Sequence, residues 1–371
     1  MPSRRIAIVG AGPAGSATAI GLRRRGVDGV LLLERARFPR PKACGGGLSP
    51  GAISLLRKIG LGERVVDRAH PVRSLRFVGP DRDETIMQGT PAAVMNRAAL
   101  DAALLDEARR LGAEVREAFA VRELIREPAG QGRPGRVVGV AGAGERNLAA
   151  DVVVLADGAH SRFSPDPRPR DIVTTIMGWY EGFDAPPDRM EMIYDRRLLP
   201  YYAWVFPESD RLVNIGLCHP GGSGSLNLRG LFADILDDQF GARIRNARQV
   251  GALRGHPVSV ASWIDRVAEP GALWVGEAAR LVNPATCEGI YHAVASGLAA
   301  AEAIARAAST RADVGLVGDG YLRMLRRRLG FGLAAGGAFR RIAAGPVFPV
   351  VCRMGGNPLV RAVMTRVIEK L

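Results

Sequence analysis

The pattern of apolar and polar positions changes twice along the chain. Residues 6–34 run IAIVGAGPAGSATAIGLRRRGVDGVLLLE. An apolar run, Ile6–Val9, precedes small residues that continue to about Arg25, and a second apolar run, Val30–Leu33, ends at Glu34. That is the period of strand, helix, strand. A helix is expected from residue 50 to 61. Two short strands, SLRFV and ETIMQ, follow within residues 72–88, joined by a Gly-Pro-Asp turn. Leu100, Leu104 and Ala108 then recur at helical spacing from Arg97 to Gly112. Residues 114–121 read as the next parallel strand. A meander follows over 121–126, 137–141 and 147–149, and runs into the buried strand 150–155.

From residue 170 to 267 alternation dominates, in IVTTIMGWYEGF, MEMIYDR, YYAWVFP and LVNIGLC. These segments predict antiparallel strands of a second sheet, interrupted by one helix over 226–238. The first pattern then returns: a short strand at 273–275, a loop with Pro284, and a long helix from about Glu288 to Ala307. The expected fold is therefore α/β. A Rossmann-type domain is assembled from residues 1–70, 95–165 and 268–315, and an antiparallel β-sheet substrate domain from 71–94 and 166–267. A C-terminal segment, 316–371, mixes apolar runs with Arg, Gly and Pro, and reads as short helices capping the substrate pocket.

The turn after the first strand carries the first chemistry. Gly10, Gly12 and Gly15 stand at G-x-G-x-x-G spacing, with Pro13 and Ala14 between the last two. Gly10 allows the tight turn, Gly12 lets a diphosphate approach the backbone, and Gly15 lets helix pack on strand. The helix N-terminus offers its N–H groups to the same diphosphate. Glu34 ends the second strand, where it can accept hydrogen bonds from a ribose diol, and Arg35 follows it. The Pro- and Gly-rich stretch 37–50 is a loop in which Lys42, Cys44, Gly45 and Gly46 would run along the cofactor, the glycines close to a flat ring. Arg97 is unfavourable at a helix N-terminus unless a bound anion answers it. Asp157-Gly158 turns the chain at the carboxyl edge of the sheet, where ligands bind in doubly wound folds. Gly276-Glu277 and Gly289 bracket another such approach. Val121, at the head of the meander, belongs to the same expected cofactor set.

Composition narrows the setting. The four cysteines, Cys44, Cys218, Cys287 and Cys352, and the five histidines are dispersed, without metal-ligand spacing, so no metal is expected and a reducing, cytoplasmic location fits. No run of 18 apolar residues suggests a membrane span. Arg4 and Arg5 before an apolar stretch resemble the start of a signal peptide, but Arg23–Arg25 and the glycines favour a retained nucleotide site. Net charge is +14, and residues 321–371 hold ten Lys/Arg against Glu369 alone. No nucleic-acid motif accompanies them, so nucleic acid is not an expected partner. A solvated basic face or peripheral contact with an anionic membrane surface remains.

Over residues 4–310 the chain resembles the FAD-dependent oxidoreductases of the para-hydroxybenzoate hydroxylase type. GAGPAGS with Glu34 is similar to the family's ADP-binding start, NRAALDAAL to its R-x-x-L-D element, ADGAHS to its middle motif, and GEAARLVNPATCEGI to its second FAD motif. The resemblance implies that Arg97 meets the FAD diphosphate and that Glu277, in place of the usual Asp, meets the ribityl and diphosphate region. It also implies that Pro284, Gly289 and Ile290 lead into a helix facing the flavin pyrimidine end. Cys287 stands where a small residue is usual, beside the flavin. Within that superfamily PKACGGGL and YAWVFP…NIG resemble elements of the geranylgeranyl reductase family. The implied activity is reduction of isoprenoid C=C bonds by reduced FAD. An external donor, NAD(P)H or reduced ferredoxin or flavodoxin, would serve it without a Rossmann domain of its own. Tyr202, Trp204 and Phe206 share one face of a strand and would wall the pocket of a lipophilic substrate, with Pro207 marking an edge over it. Cys44 is the candidate proton donor or redox relay. The alternatives are a monooxygenase acting on an aromatic or prenylated compound, and a non-catalytic flavin-binding protein. Tyr-x-Trp-x-Phe-Pro departs from the W-x-W-x-I-P of flavin halogenases.

Overall fold

The computed structural model describes residues 5–128, 135–142, 147–164, 171–221, 226–309 and 315–356. The chain opens with β1 (Ile6–Val9), α1 (Pro13–Arg23), β2 (Val30–Leu33), β3 (Gly47–Leu48) and α2 (Pro50–Lys58). It continues through β4 (His70–Val78), β5 (Glu84–Val94), α3 (Arg97–Arg110) and β6 (Glu114–Arg116). The meander β7 (Val121–Arg126), β8 (Val137–Gly142) and β9 (Leu148–Ala149) leads into β10 (Val152–Leu155). Then come β11 (Ile172–Glu181), β12 (Arg189–Ile193), β13 (Ala203–Pro207), β14 (Leu212–Pro220), α4 (Leu228–Ile244) and β15 (Arg248–Ser259). The chain closes with β16 (Ala268–Glu269), β17 (Ala272–Trp274), α5 (Ile290–Ser309), α6 (Gly315–Ala343) and α7 (Phe348–Arg353).

The described residues form three sheets. The first, in the order β16-β17-β10-β1-β2-β6, is parallel except at β16. Its four central strands, β17, β10, β1 and β2, are fully apolar, as buried parallel strands must be, and α1, α3 and α5 cover one face in a continuous core. The meander packs on the other face. The second sheet runs β15-β11-β14-β13-β12-β4-β5-β3. It is antiparallel except where β12 runs parallel to β4. Its β3 is part of the glycine loop, and Gly47 pairs with Val94. The loop next to the nucleotide turn is thereby stitched to the sheet of the other layer.

Four expectations need correction. The strands expected within 72–88 are nine and eleven residues long. The strand β15 was not singled out, because Gly251, Gly255 and Pro257 weaken its pattern; it lies at the sheet edge, where proline is tolerated. The strand β13 is interior, between β12 and β14, so Pro207 marks no edge. The C-terminal segment is one 29-residue helix followed by a short one, rather than short helices. Gly318, Gly336 and Gly337 are contact points rather than breaks. A Cβ on Gly336 would sit 2.6 Å from Asn283 Oδ1 and 3.0 Å from Pro284 Cδ, so only glycine lets α6 pack on that loop. Residues 357–371, with the last cations of the basic stretch and Glu369, lie outside the described residues.

Candidate active site

One cavity of about 1570 Å³ runs between the two large sheets. Ligand sites typically span about 300–1,000 Å³, so this one has room for a cofactor and a substrate together. Its nucleotide end is the turn from β1 into α1. Gly10 adopts φ +100°, and a Cβ there would lie 2.5 Å from the Ala156 carbonyl. The N-terminus of α1 carries no side-chain cap and no acid in its first turn, leaving its N–H groups open to an anion. Beside Gly12, a Cβ would meet nothing closer than the Arg40 side chain at 3.6 Å. The Glu34 carboxylate accepts from Ala11 N–H at 2.8 Å and from Ala36 N–H at 2.9 Å, which fixes it at the cavity wall. These features fit the ADP half of FAD.

Arg97 is buried and forms a bidentate pair with Asp101 at 2.8 and 2.9 Å, one turn along α3. Burial alone would lower its pKa, but Asp101 and the Cys44 sulfur outweigh that and raise it. Its helix-terminal charge is thus answered first by a side chain. Cys44 lines the cavity and accepts from Gly46 N–H at 3.4 Å, with the Arg97 guanidinium also in reach. Farther along, Lys42 Nζ and His256 Nε2 each lie 3.6 Å from Glu277 Oε2. Burial pushes the Glu277 carboxyl up, yet Lys42 and His256 together hold it below the usual range. His160 stacks edge-on against His256, and its own pKa is lowered by burial and by that neighbour.

The opposite end is apolar. Tyr202, Trp204 and Phe206 face the cavity, while Ala203 and Val205 pack behind the sheet under α4. Both polar aromatic groups are tied down. Trp204 Nε1 donates to buried Asn214 Oδ1 at 2.7 Å, and the Tyr202 hydroxyl donates to the Thr286 carbonyl. Rings continue the wall from Tyr202 to Tyr194 and Phe348, and Phe348 meets Phe339 of α6. Ala335, Phe339 and Ile342 close the chamber from α6.

Every residue expected at the cofactor or substrate faces this cavity except four. Gly15 sits behind it, where a Cβ would lie 1.9 Å from the Gly10 carbonyl, and Gly276 packs against Ala14. Pro284 packs against α6. Pro207 follows the alternation of Ala203 and Val205 onto the far face, and so is not a substrate-wall residue. Sequence reasoning missed Glu288, His160 and His256, all on the cavity. Glu288 was visible as an acid directly before Gly289. Met190, Met192 and Tyr194, also on the wall, were legible in the alternation of MEMIY.

A nucleotide-binding turn and an apolar chamber sharing one cavity define an FAD-dependent oxidoreductase, and residues 4–168 match the family model of an FAD binding domain. Among curated relatives, the chloroplastic geranylgeranyl diphosphate reductase of Oryza sativa subsp. japonica is 31% identical, over 81% of this chain and 66% of that protein. The menaquinone reductase of Mycobacterium tuberculosis is 30% identical, over 94% of this chain and 85% of its own length. A solved geranylgeranyl bacteriochlorophyll reductase-like protein from Thermoplasma acidophilum superposes with TM-score 0.77 at 22% identity, covering 98% of this chain and 99% of that one. A flavin-dependent brominase reaches 0.81 at 22% identity, covering 99% and 93%, which is a likeness of fold alone. The chain belongs to the geranylgeranyl reductase family of FAD-dependent oxidoreductases.

Proposed function

We propose that the protein saturates isoprenoid C=C bonds of a lipophilic substrate with electrons carried by FAD. The observation that carries this reading is the continuity of the cavity: the nucleotide turn and the aromatic wall open into the same space. When bound and reduced, the flavin supplies hydride. The protein's own residues do the rest. The N–H groups at the start of α1, with Arg97, hold the diphosphate; Glu34 takes the adenosine ribose; Glu277 takes the ribityl region. Cys44 and Arg97 hold the glycine loop at the cavity wall, where it would meet the flavin. Tyr202, Trp204 and Phe206 hold the prenyl chain and exclude water, with their own polar groups already paired.

The electron donor is external, NAD(P)H or reduced ferredoxin or flavodoxin. The substrate comes from a membrane surface. Support lies at the rim of the apolar chamber, where Ile342, Val347, Val350 and Met354 are exposed and Arg341 and Arg353 stand among them. Such a patch suits peripheral contact with anionic lipid. No helix among the described residues is long and apolar enough to cross a membrane. The reading is tested by anaerobic incubation of chemically reduced holoenzyme with geranylgeranyl diphosphate and with a menaquinone. Geranylgeranyl diphosphate heavier by two hydrogens, or a menaquinone still heavier by two after its ring is reoxidised to the quinone, supports it. A product formed only with oxygen, and heavier by one oxygen atom, replaces it with a monooxygenase.

A further inference from the structure

Saturating an alkene needs a proton as well as a hydride, and the residues placed so far do not deliver one. The Tyr202 hydroxyl is committed to the Thr286 carbonyl. The Cys44 sulfur accepts hydrogen bonds at the loop. Of the carboxyls on the cavity, Glu34 is spent on two backbone donors at the adenosine end, and Glu277 is held ionised by Lys42 and His256. Asp157 lies at the nucleotide turn beside Gly10, and Asp83 lies in the β4–β5 turn beside Cys352. Glu288 is the remaining one.

Its position is distinctive. Cys287, immediately before it, packs into the aromatic chamber, whereas Gly289 and Ile290, immediately after, begin α5 at the cofactor end. Glu288 therefore stands at the junction of the two halves, and the Tyr202–Thr286 bond clamps that junction to the substrate wall. Its carboxyl has one side-chain partner, the Ser49 hydroxyl at the cap of α2, and no ion-pair partner among the described residues. We propose that the Glu288 carboxylic acid donates the proton that completes saturation of the double bond, a role resting on the reductase reading above. Hydride forms the C–H bond at one alkene carbon. The Glu288 O–H bond breaks, its proton forms the C–H bond at the other carbon, and the electron pair stays on the carboxylate, which water reprotonates.

The surroundings keep the acid protonated up to about pH 7. Burial pushes Glu288 up to about 7, against a smaller lowering by the Ser49 hydrogen bond. The titratable groups around it are Tyr202, just before β13, and Tyr291 and His292 on α5, with Arg328 of α6 near Tyr291. Burial lowers the pKa of His292 to about 4, against a smaller raising by the nearby Glu288 backbone, so it brings no charge at neutral pH.

The test uses reduced, FAD-loaded enzyme mixed anaerobically with geranylgeranyl diphosphate or a menaquinone, and reads flavin reoxidation together with prenyl double bonds saturated, since a quinone ring alone takes two electrons from reduced flavin. In wild type, flavin reoxidation slows as pH rises through about 7. Glu288→Gln reduces the rate by about 10²–10⁴-fold and abolishes that pH limb, with FAD binding and flavin reduction unchanged. Glu288→Asp recovers part of the rate. Wild-type rate or an intact pH limb in Glu288→Gln overturns the proposal, as does a limb that disappears in Cys44→Ser instead. A wild type inert to both probes overturns the reductase reading itself. Infrared titration of the wild-type holoenzyme decides independently of turnover. A protonated-carboxyl band lost through about pH 7 supports the assignment, and no such band at about pH 6 refutes it.

Discussion

Replacing Asp101 by Asn tests how the start of α3 is held beneath the cofactor. Asp101 is fully buried and meets Arg97 through two parallel bonds, with Arg40 a further 3.5 Å contact. Asn keeps the shape but removes the charge, and sets an amide donor against a guanidinium donor. Arg97 then keeps a buried positive charge with only the Cys44 sulfur opposite. Breaking a buried pair on one side costs about 3–5 kcal/mol, a large fraction of a typical ~5–15 kcal/mol stability. A bound diphosphate returns part of the missing counter-charge. Urea unfolding, followed by fluorescence on apo and FAD-saturated protein, should therefore show a loss of about 3–5 kcal/mol without FAD and a visibly smaller loss with it. Equal losses in the two states would refute the claim that Arg97 faces the diphosphate. A loss under about 1 kcal/mol in both would refute the claim that the pair supports the helix.

Three further outcomes are expected. Gly46 has φ +74° and a Cβ would lie 2.4 Å from the Met95 carbonyl. Gly46→Ala should cost about 1–3 kcal/mol and weaken FAD affinity in titration, whereas Gly26→Ala, at φ +70° with nothing within 4 Å, should leave FAD affinity unchanged. Trp204→Phe strands Asn214 Oδ1 in the core at about 1–3 kcal/mol, and adding Asn214→Leu should recover most of it in thermal melts. Glu288 is neutral in the folded protein up to about pH 7, against an ordinary 4.5, so the folded state binds the extra proton between those values. Its stabilising contribution is full below the ordinary value and is lost as pH rises through about 7, by at most about 3 kcal/mol. Glu288→Gln should flatten that part of the wild-type stability profile.

Local chemistry was legible in the sequence, and convergence was not. The strand-turn-helix at Ile6–Arg23, the acid Glu34 and the alternating aromatics of β13 each announce themselves within a few residues. Pro207 misled because a proline suggests an edge, whereas the order of β12, β13 and β14 is decided by pairings made across the chain. The glycines of α6 read as breaks because their packing partners, such as Asn283 and Pro284, lie about fifty residues away in sequence. Glu288 was passed over because its meaning depends on burial, which raises its pKa, and on Ser49, 239 residues upstream, which holds its carboxyl at the cavity.

The most direct test of the whole account is the rate at which oxygen-free, reduced holoenzyme is reoxidised by a prenyl alkene. The account predicts that flavin absorbance returns on mixing with geranylgeranyl diphosphate or a menaquinone, with one alkene saturated per flavin. It also predicts that placing a charge in the apolar wall, Phe339→Asp, abolishes this while leaving FAD bound. Flavin that stays reduced with both probes until oxygen is admitted would contradict it.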